Sequence, residues 1–215
     1  ADRVRMQNLG VSFVTFAQGI PFLHAGMDLM RSKSMDRDSY NSGDWFNKVD
    51  WSAQDNNFGV GAPIADKNQS NWYLIKPRLS NPMIKPEAQH IAASKSFFQD
   101  ALAIRKSSSL FRMRSEAEIN QRLSFANTGS SQVPGVIVML LDGADYAGAN
   151  YRRIAVVFNV DKFSHDVSVT SLSTSNMQLH PVQQAGVDSL VKAAQFNGGT
   201  FSVPARTVAV FVEQQ

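Results

Sequence analysis

The stretch from residue 31 to residue 51, RSKSMDRDSYNSGDWFNKVDW, concentrates side chains capable of chemistry on one turn-rich segment. It holds four aspartates, two arginines, two lysines, two tryptophans, a tyrosine and a phenylalanine, with neither a helical nor a strand period. Calcium is one chemistry to consider. Asp36 and Asp38 fall on the first two ligand positions of an EF-hand loop, with Asp44 nearby. However, the sixth position is Asn41 rather than glycine, and no glutamate stands at the twelfth. Sugar binding uses more of these residues at once. Aromatic rings stack on the C–H faces of sugars, and carboxylate and guanidinium groups bind neighbouring hydroxyls as forks. The plain alternative is a solvated loop whose aspartates close Asx turns.

Other chemistries find no residues to carry them. His24, His90, His165 and His180 show no metal-ligand spacing. There is no glycine-rich phosphate loop and no nucleophile elbow. The absence of cysteine removes disulfides and thiolate sites. A net charge of +3, with scattered basic residues, lacks the footprint of a nucleic-acid binder. No apolar run reaches the roughly 18 residues that a membrane span needs.

The elements that must position the segment come next. Residues 2–17 read as a helix with Val4, Val11, Val14 and Ala17 on one side and Phe13 and Phe16 widening the apolar face. Gly19 stops it, and Ile20–Leu23 is long enough for one buried strand. The chain begins inside this helix without an initiator methionine, which reads as a piece of something longer. Gly26 opens a loop without regular structure to about Pro86, a length that is normally functional. Residues 87–106 read as a second helix, with Ile91, Phe98 and Leu102 near helical spacing and Arg105 and Lys106 at the C-terminal end of its dipole. Beyond Leu110 come about seven short β-rich runs: RLSFAN, GVIVMLL, RIAVVFNV, HDVSVTSL, MQLHPV, TFSVPA and TVAVFVE. Their spacing suggests an antiparallel sandwich. The expected organisation is therefore the tail of an α/β domain over residues 1–110 and a β-sandwich over residues 111–215.

GIPFLHAGMDLMRSKSMDRDSYNSGDWFN resembles the segment around the eighth barrel strand of bacterial pullulanases, starch-debranching enzymes of the α-amylase superfamily. WSAQDNNFGVGAP, ALAIRKSSSLFR and SVPARTVAVF resemble later stretches of the same family, so the likeness covers nearly the whole chain. It implies the last helix and strand of a (β/α)8 barrel, the cleft loop that follows, a final helix, and a C-terminal sandwich called domain C. A loop after a barrel strand lies on the catalytic face. The family's nucleophile, acid/base and third carboxylate follow strands four, five and seven, upstream of Ala1, so no residue here is expected to be catalytic and the chain alone is expected to be inactive. Asp38 matches a position that contacts glucose, with Arg37, Tyr40 and Asn41 as its companions; Trp45 and Phe46 either wedge the loop or stack on sugar. The resemblance further implies an α-glucan substrate such as pullulan or branched dextrin, and the remainder of the same enzyme as partner. It implies no cofactor in this chain, leaves room for calcium on the upstream part, and implies a secreted or cell-surface location. Isoamylase or limit-dextrinase action, or a non-catalytic carbohydrate-binding sandwich, are the alternatives.

Overall fold

A computed structural model describes residues 1–215. Helix α1, Asp2–Phe16, buries Val4, Leu9, Val11, Ser12, Thr15 and Phe16. The buried face is thus turned from the expected one: Val14 and Ala17 are exposed. The two buried hydroxyls explain how a polar position joins the core. Ser12 and Thr15 donate back to the carbonyls of Leu9 and Val11, so neither is left unpaired. At Ala17 the backbone turns extended, and Gly19 has φ +86°.

Ile20–Leu23 do not form the expected strand. Ile20 and Phe22 are 97% and 91% exposed. The physical reason is pairing: a parallel strand exists only between neighbours, and this chain brings none alongside.

Residues 26–86 are more regular than the sequence suggested. They contain α2 (Asp44–Asn47), α3 (Ala65–Asn68) and α4 (Trp72–Leu79), with single 3-10 turns at Ser39–Asn41 and Gln69–Asn71. Short helices of this kind lack the apolar period that announces a long one, and side-chain hydrogen bonds hold them instead.

Helix α5, Ala88–Ser107, buries Ile91, Ser94, Ala101, Ile104 and Arg105 at helical spacing, leaving Leu102 exposed. The Arg105 side chain serves a neighbour rather than its own helix end. Its guanidinium donates to the carbonyls of Thr15 and Ala17 at 2.6 and 2.8 Å and to that of Gly19 at 2.6 Å. Those are the orphan acceptors at the end of α1 and just past it, where the dipole also favours a cation. Helix α6, Glu116–Arg122, was not legible in advance. It carries a reciprocal capping box between Ser115 and Glu118.

Eight strands follow: β1 (Leu123–Ala126), β2 (Val136–Asp142), β3 (Arg153–Asn159), β4 (His165–Ser168), β5 (Gln178–Leu179), β6 (Gln195–Asn197), β7 (Thr200–Val203) and β8 (Thr207–Glu213). A short helix, α7 (Pro181–Ala185), lies between β5 and β6. The strand missing from the expectation is β6, three residues long. It pairs with β7 across a turn in which Gly198 and Gly199 take φ +53° and +88°. Two successive left-handed residues are what a twisted two-residue hairpin needs.

All pairings are antiparallel, giving one sheet in the order β1-β2-β3-β8-β5 and another in the order β4-β7-β6. The larger sheet is covered on both faces. Ile154, Val156, Val208 and Val210 join a core with Leu9, Phe16, Ile104 and Phe111. The alternate residues Ala155, Val157, Ala209 and Phe211 join a second core with Val167, Phe201 and Val203 of the smaller sheet. Hence β3 and β8 read as unbroken apolar runs rather than alternating ones. Each large side chain so buried contributes about 1.5–3 kcal/mol.

The chain divides into two compact units, Ala1–Phe22 with Ser96–Gln215, and Leu23–Lys95. The first holds both sheets; the second holds the residues singled out for chemistry. No helix is long and apolar enough to cross a membrane.

Candidate functional site

Within the unit Leu23–Lys95, buried polar residues hold the backbone. Ser34, fully buried, donates to the Asn57 carbonyl at 2.8 Å and accepts from the Val60 amide at 3.3 Å. Ser32 N donates to the Asn56 carbonyl at 2.7 Å. Arg31 fixes the far end of the loop through the carbonyls of Asn47 and Lys48. Together these bonds cross-link residues 31–34, 47–48 and 56–60. The segment is therefore held in place without a strand or a long helix.

Asp36 belongs to that frame. Its carboxylate accepts from Asn68 Nδ2 at 3.0 Å, from the Asp38 amide at 3.1 Å and from the Ser42 hydroxyl. Burial pushes the Asp36 carboxyl up. Hydrogen bonds from Ser42, Asn68 and the Asp38 amide, with the charge of Lys33, outweigh burial and hold it below the ordinary value. Asp50 closes a second turn. It accepts from the Ser52 hydroxyl and from the amides of Ser52, Gln54 and Asp55, which hold its pKa at about 2, with Ser52 the largest cause. So Asp36 and Asp50 do make the Asx turns of the plain alternative. Asp36, Asp38 and Asp44 do not gather into a cluster that could hold a metal ion.

The four residues singled out are differently placed. Asp38 stands at the start of the 3-10 turn Ser39–Asn41, but its side chain caps nothing. Arg37, Asp38, Tyr40 and Asn41 are all exposed, Tyr40 to 96%. Arg37 and Asp38 line an open groove of about 860 Å³ whose other wall is Ala65, Asp66, Lys67, Gln69 and Ser70. A smaller hollow of about 430 Å³ on the other side of the same two residues is lined by Lys33, Asp36, Tyr40 and Asn47 among others. Asn41 lines neither. The groove thus sets a guanidinium and a carboxylate opposite a second acid, an amine and an amide. All of these are groups suited to hydroxyl-rich ligands.

The aromatic residues divide. Phe46 is buried. Trp45 leaves its ring largely in solvent while its indole N–H donates to the Val60 carbonyl at 2.8 Å, which fixes the ring without covering it. Trp72 donates to the Pro63 carbonyl at 2.9 Å, and the Lys76 ammonium lies 4.2 Å from its ring centre. The wall formed by residues 65–70 was not foreseen. Its one legible signal is an unbroken polar run, Asp66 to Asn71, directly before Trp72 and Tyr73.

Residues 53–214 match a sequence profile described as alpha-1,6-glucosidases, pullulanase-type, C-terminal. The chain belongs to the pullulanase-type alpha-1,6-glucosidase family. It is 45% identical over 224 residues to pullulanase 1, chloroplastic, of Arabidopsis thaliana, covering 100% of this chain and 23% of that protein. It is 38% identical over 214 residues to the pullulanase of Klebsiella pneumoniae, covering 98% and 20%. Solved structures agree. PulA from Klebsiella oxytoca superposes with a TM-score of 0.89 at 36% identity, over 100% of this chain and 21% of the other. A maltotriose complex of PulA from Klebsiella pneumoniae gives 0.91 at 38% identity, over 99% and 23%. The chain spans about a fifth of the length of these relatives.

Proposed function

We propose that this chain is the C-terminal part of an enzyme that hydrolyses α-1,6-glucosidic links in pullulan and branched dextrins, and that Arg37 and Asp38, with Tyr40 and Asn41 beside them, hold the glucan. The observation that carries the reading is the state of the Asp38 carboxylate. It is exposed, it makes no cap, and it faces a polar groove, whereas Asp36 two residues earlier is fully engaged. A side chain left free at the edge of a held loop is available to a ligand. The maltotriose bound by the Klebsiella relative fits the same ligand class.

In this reading residues 1–110 complete a (β/α)8 barrel in the whole protein, Ile20–Leu23 gaining the strand neighbours they lack, and residues 111–215 form the C-terminal sandwich, domain C. The glycosidic bond would be broken by two carboxylates on the upstream part, one protonating the leaving oxygen and one attacking the anomeric carbon. This chain contributes orientation and binding. Calcium, where present, belongs to that upstream part. A secreted or cell-surface location is part of the same proposal; the Arabidopsis relative, named chloroplastic, does not share it.

The test is reducing-sugar release by the full-length enzyme and by the 215-residue chain. Release from pullulan by the full-length enzyme, above its release from glycogen, together with none from the chain alone, is the expected outcome. A full-length enzyme that leaves pullulan intact but debranches glycogen would replace the pullulanase reading with an isoamylase one.

A further inference from the structure

Asn68 is 1% exposed, and every hydrogen-bonding group of its amide except one acceptor lone pair is in use. Its Nδ2 donates to Asp36 Oδ1 and to the Ile64 carbonyl, both at 3.0 Å. Its Oδ1 accepts from the Arg37 amide at 3.2 Å. Asp36 Oδ1 in turn accepts from the Asp38 amide. One buried amide therefore holds the Asp36 carboxylate and the Arg37 amide directly, and the Asp38 amide through Asp36, on one side, and the carbonyl at the start of α3 on the other. These are the two walls of the groove, Arg37 and Asp38 facing Asp66, Lys67 and Gln69. Only a side chain with both donors and an acceptor at this length closes the three bonds. Aspartate lacks the donors and sets a second carboxylate against Asp36. Alanine leaves all three partners without it in a site shielded from water.

We infer that Asn68 is the positioning residue of the glucan site: it sets the orientation of the Arg37–Asp38 edge and its separation from the α3 wall. The inference rests on the glucan-binding reading of Asp38 but can fail separately from it. Asn68 does not itself reach the ligand; it acts through Asp38 and Arg37. Its loss should therefore appear as weaker substrate capture with a local loss of exchange protection, and not as loss of chemistry.

Two measurements on the full-length enzyme decide. The first is hydrogen exchange over residues 34–42 in Asn68→Ala, with Asn68→Asp as the second variant because it keeps an oxygen for the Arg37 amide. Faster exchange at Arg37 and Asp38 is expected in both variants. The second is steady-state kinetics on pullulan for Asn68→Ala, Asp38→Ala and the double variant. The expected result is a fall in kcat/KM of about ten-fold for Asn68→Ala, carried by KM, and a double variant that loses clearly less than the product of the two single losses, since coupled residues are not additive. Unchanged exchange overturns the inference, as do losses that multiply. Should Asp38→Ala leave kcat/KM unchanged, the glucan-binding reading of Asp38 falls, and exchange alone then settles the positioning role.

Discussion

Removing either of two carboxylates, Asp36 or Asp38, is the same chemical change at neighbouring positions, and the structure separates their consequences. Asp36→Ala deletes an acceptor of three hydrogen bonds, from Asn68, from the Asp38 amide and from Ser42, at a half-buried position. A bond to a charged group contributes about 1.5–3 kcal/mol when shielded and less where water competes. The three together, partly solvated and partly replaced by water on truncation, amount to about 2–3 kcal/mol. Asp38→Ala deletes an exposed carboxylate that caps nothing, so its stability change should stay within about 0.5 kcal/mol. The activity order differs. Asp38→Ala should lower kcat/KM on pullulan about ten- to a hundred-fold in the full-length enzyme, the worth of a charged hydrogen bond to a sugar hydroxyl. If that bond is equal in ground and transition states, KM rises and kcat holds; if it strengthens in the transition state, kcat falls as well. Stability is read conveniently by tryptophan fluorescence in urea, since Trp45, Trp51 and Trp72 all lie in the unit Leu23–Lys95. A lowered urea midpoint in Asp38→Ala with unchanged kcat/KM would make Asp38 scaffolding and refute the reasoning.

Two further expectations concern the unit that holds the sheets. His180 is 1% exposed; its Nδ1 accepts from the Val182 amide at 3.2 Å and its Nε2 lies 3.0 Å from the Ser107 hydroxyl, and burial lowers its pKa to about 4. The unfolded chain takes up this proton near pH 6.5 and the folded chain only near pH 4, so between these values the unfolded state binds more protons and stability falls with falling pH, by about 2 kcal/mol at pH 5. Comparing urea unfolding at pH 7 and pH 5 in the native chain and in His180→Asn should show that difference only in the former, and equal slopes would count against a buried neutral imidazole. Arg105→Met removes the cation that closes the end of α1 at Thr15, Ala17 and Gly19, and should cost about 2–4 kcal/mol, with Arg105→Lys recovering less than half because one ammonium cannot span the three carbonyls; a loss below about 1 kcal/mol would show that water serves the helix end as well.

What the sequence made legible, and what it did not, follows from the range of the interaction concerned. Apolar period and turn chemistry act within a few residues, so α1, α5 and seven of the strands could be read, and the GVIVMLL and RIAVVFNV runs do pair with each other as β2 and β3. The same local signal misjudged which face of α1 is buried, because Ser12 and Thr15 enter the core by paying their hydroxyls back to their own helix. Polar roles are set at longer range. Asp36 and Asp38 look alike in sequence, and what separates them is an asparagine 32 residues away from Asp36 whose amide reaches one and not the other. Arg105 looked like a cation for its own helix end and instead serves a helix end 86–90 residues earlier. A carboxylate or guanidinium carries no period and no preference for a face until its partner arrives. The consequence for this chain is specific. A motif can point to the segment 31–51 as the place for a ligand, but telling Asp36, which holds the loop, from Asp38, which stays free at the groove, requires the fold that brings Asn68 to them.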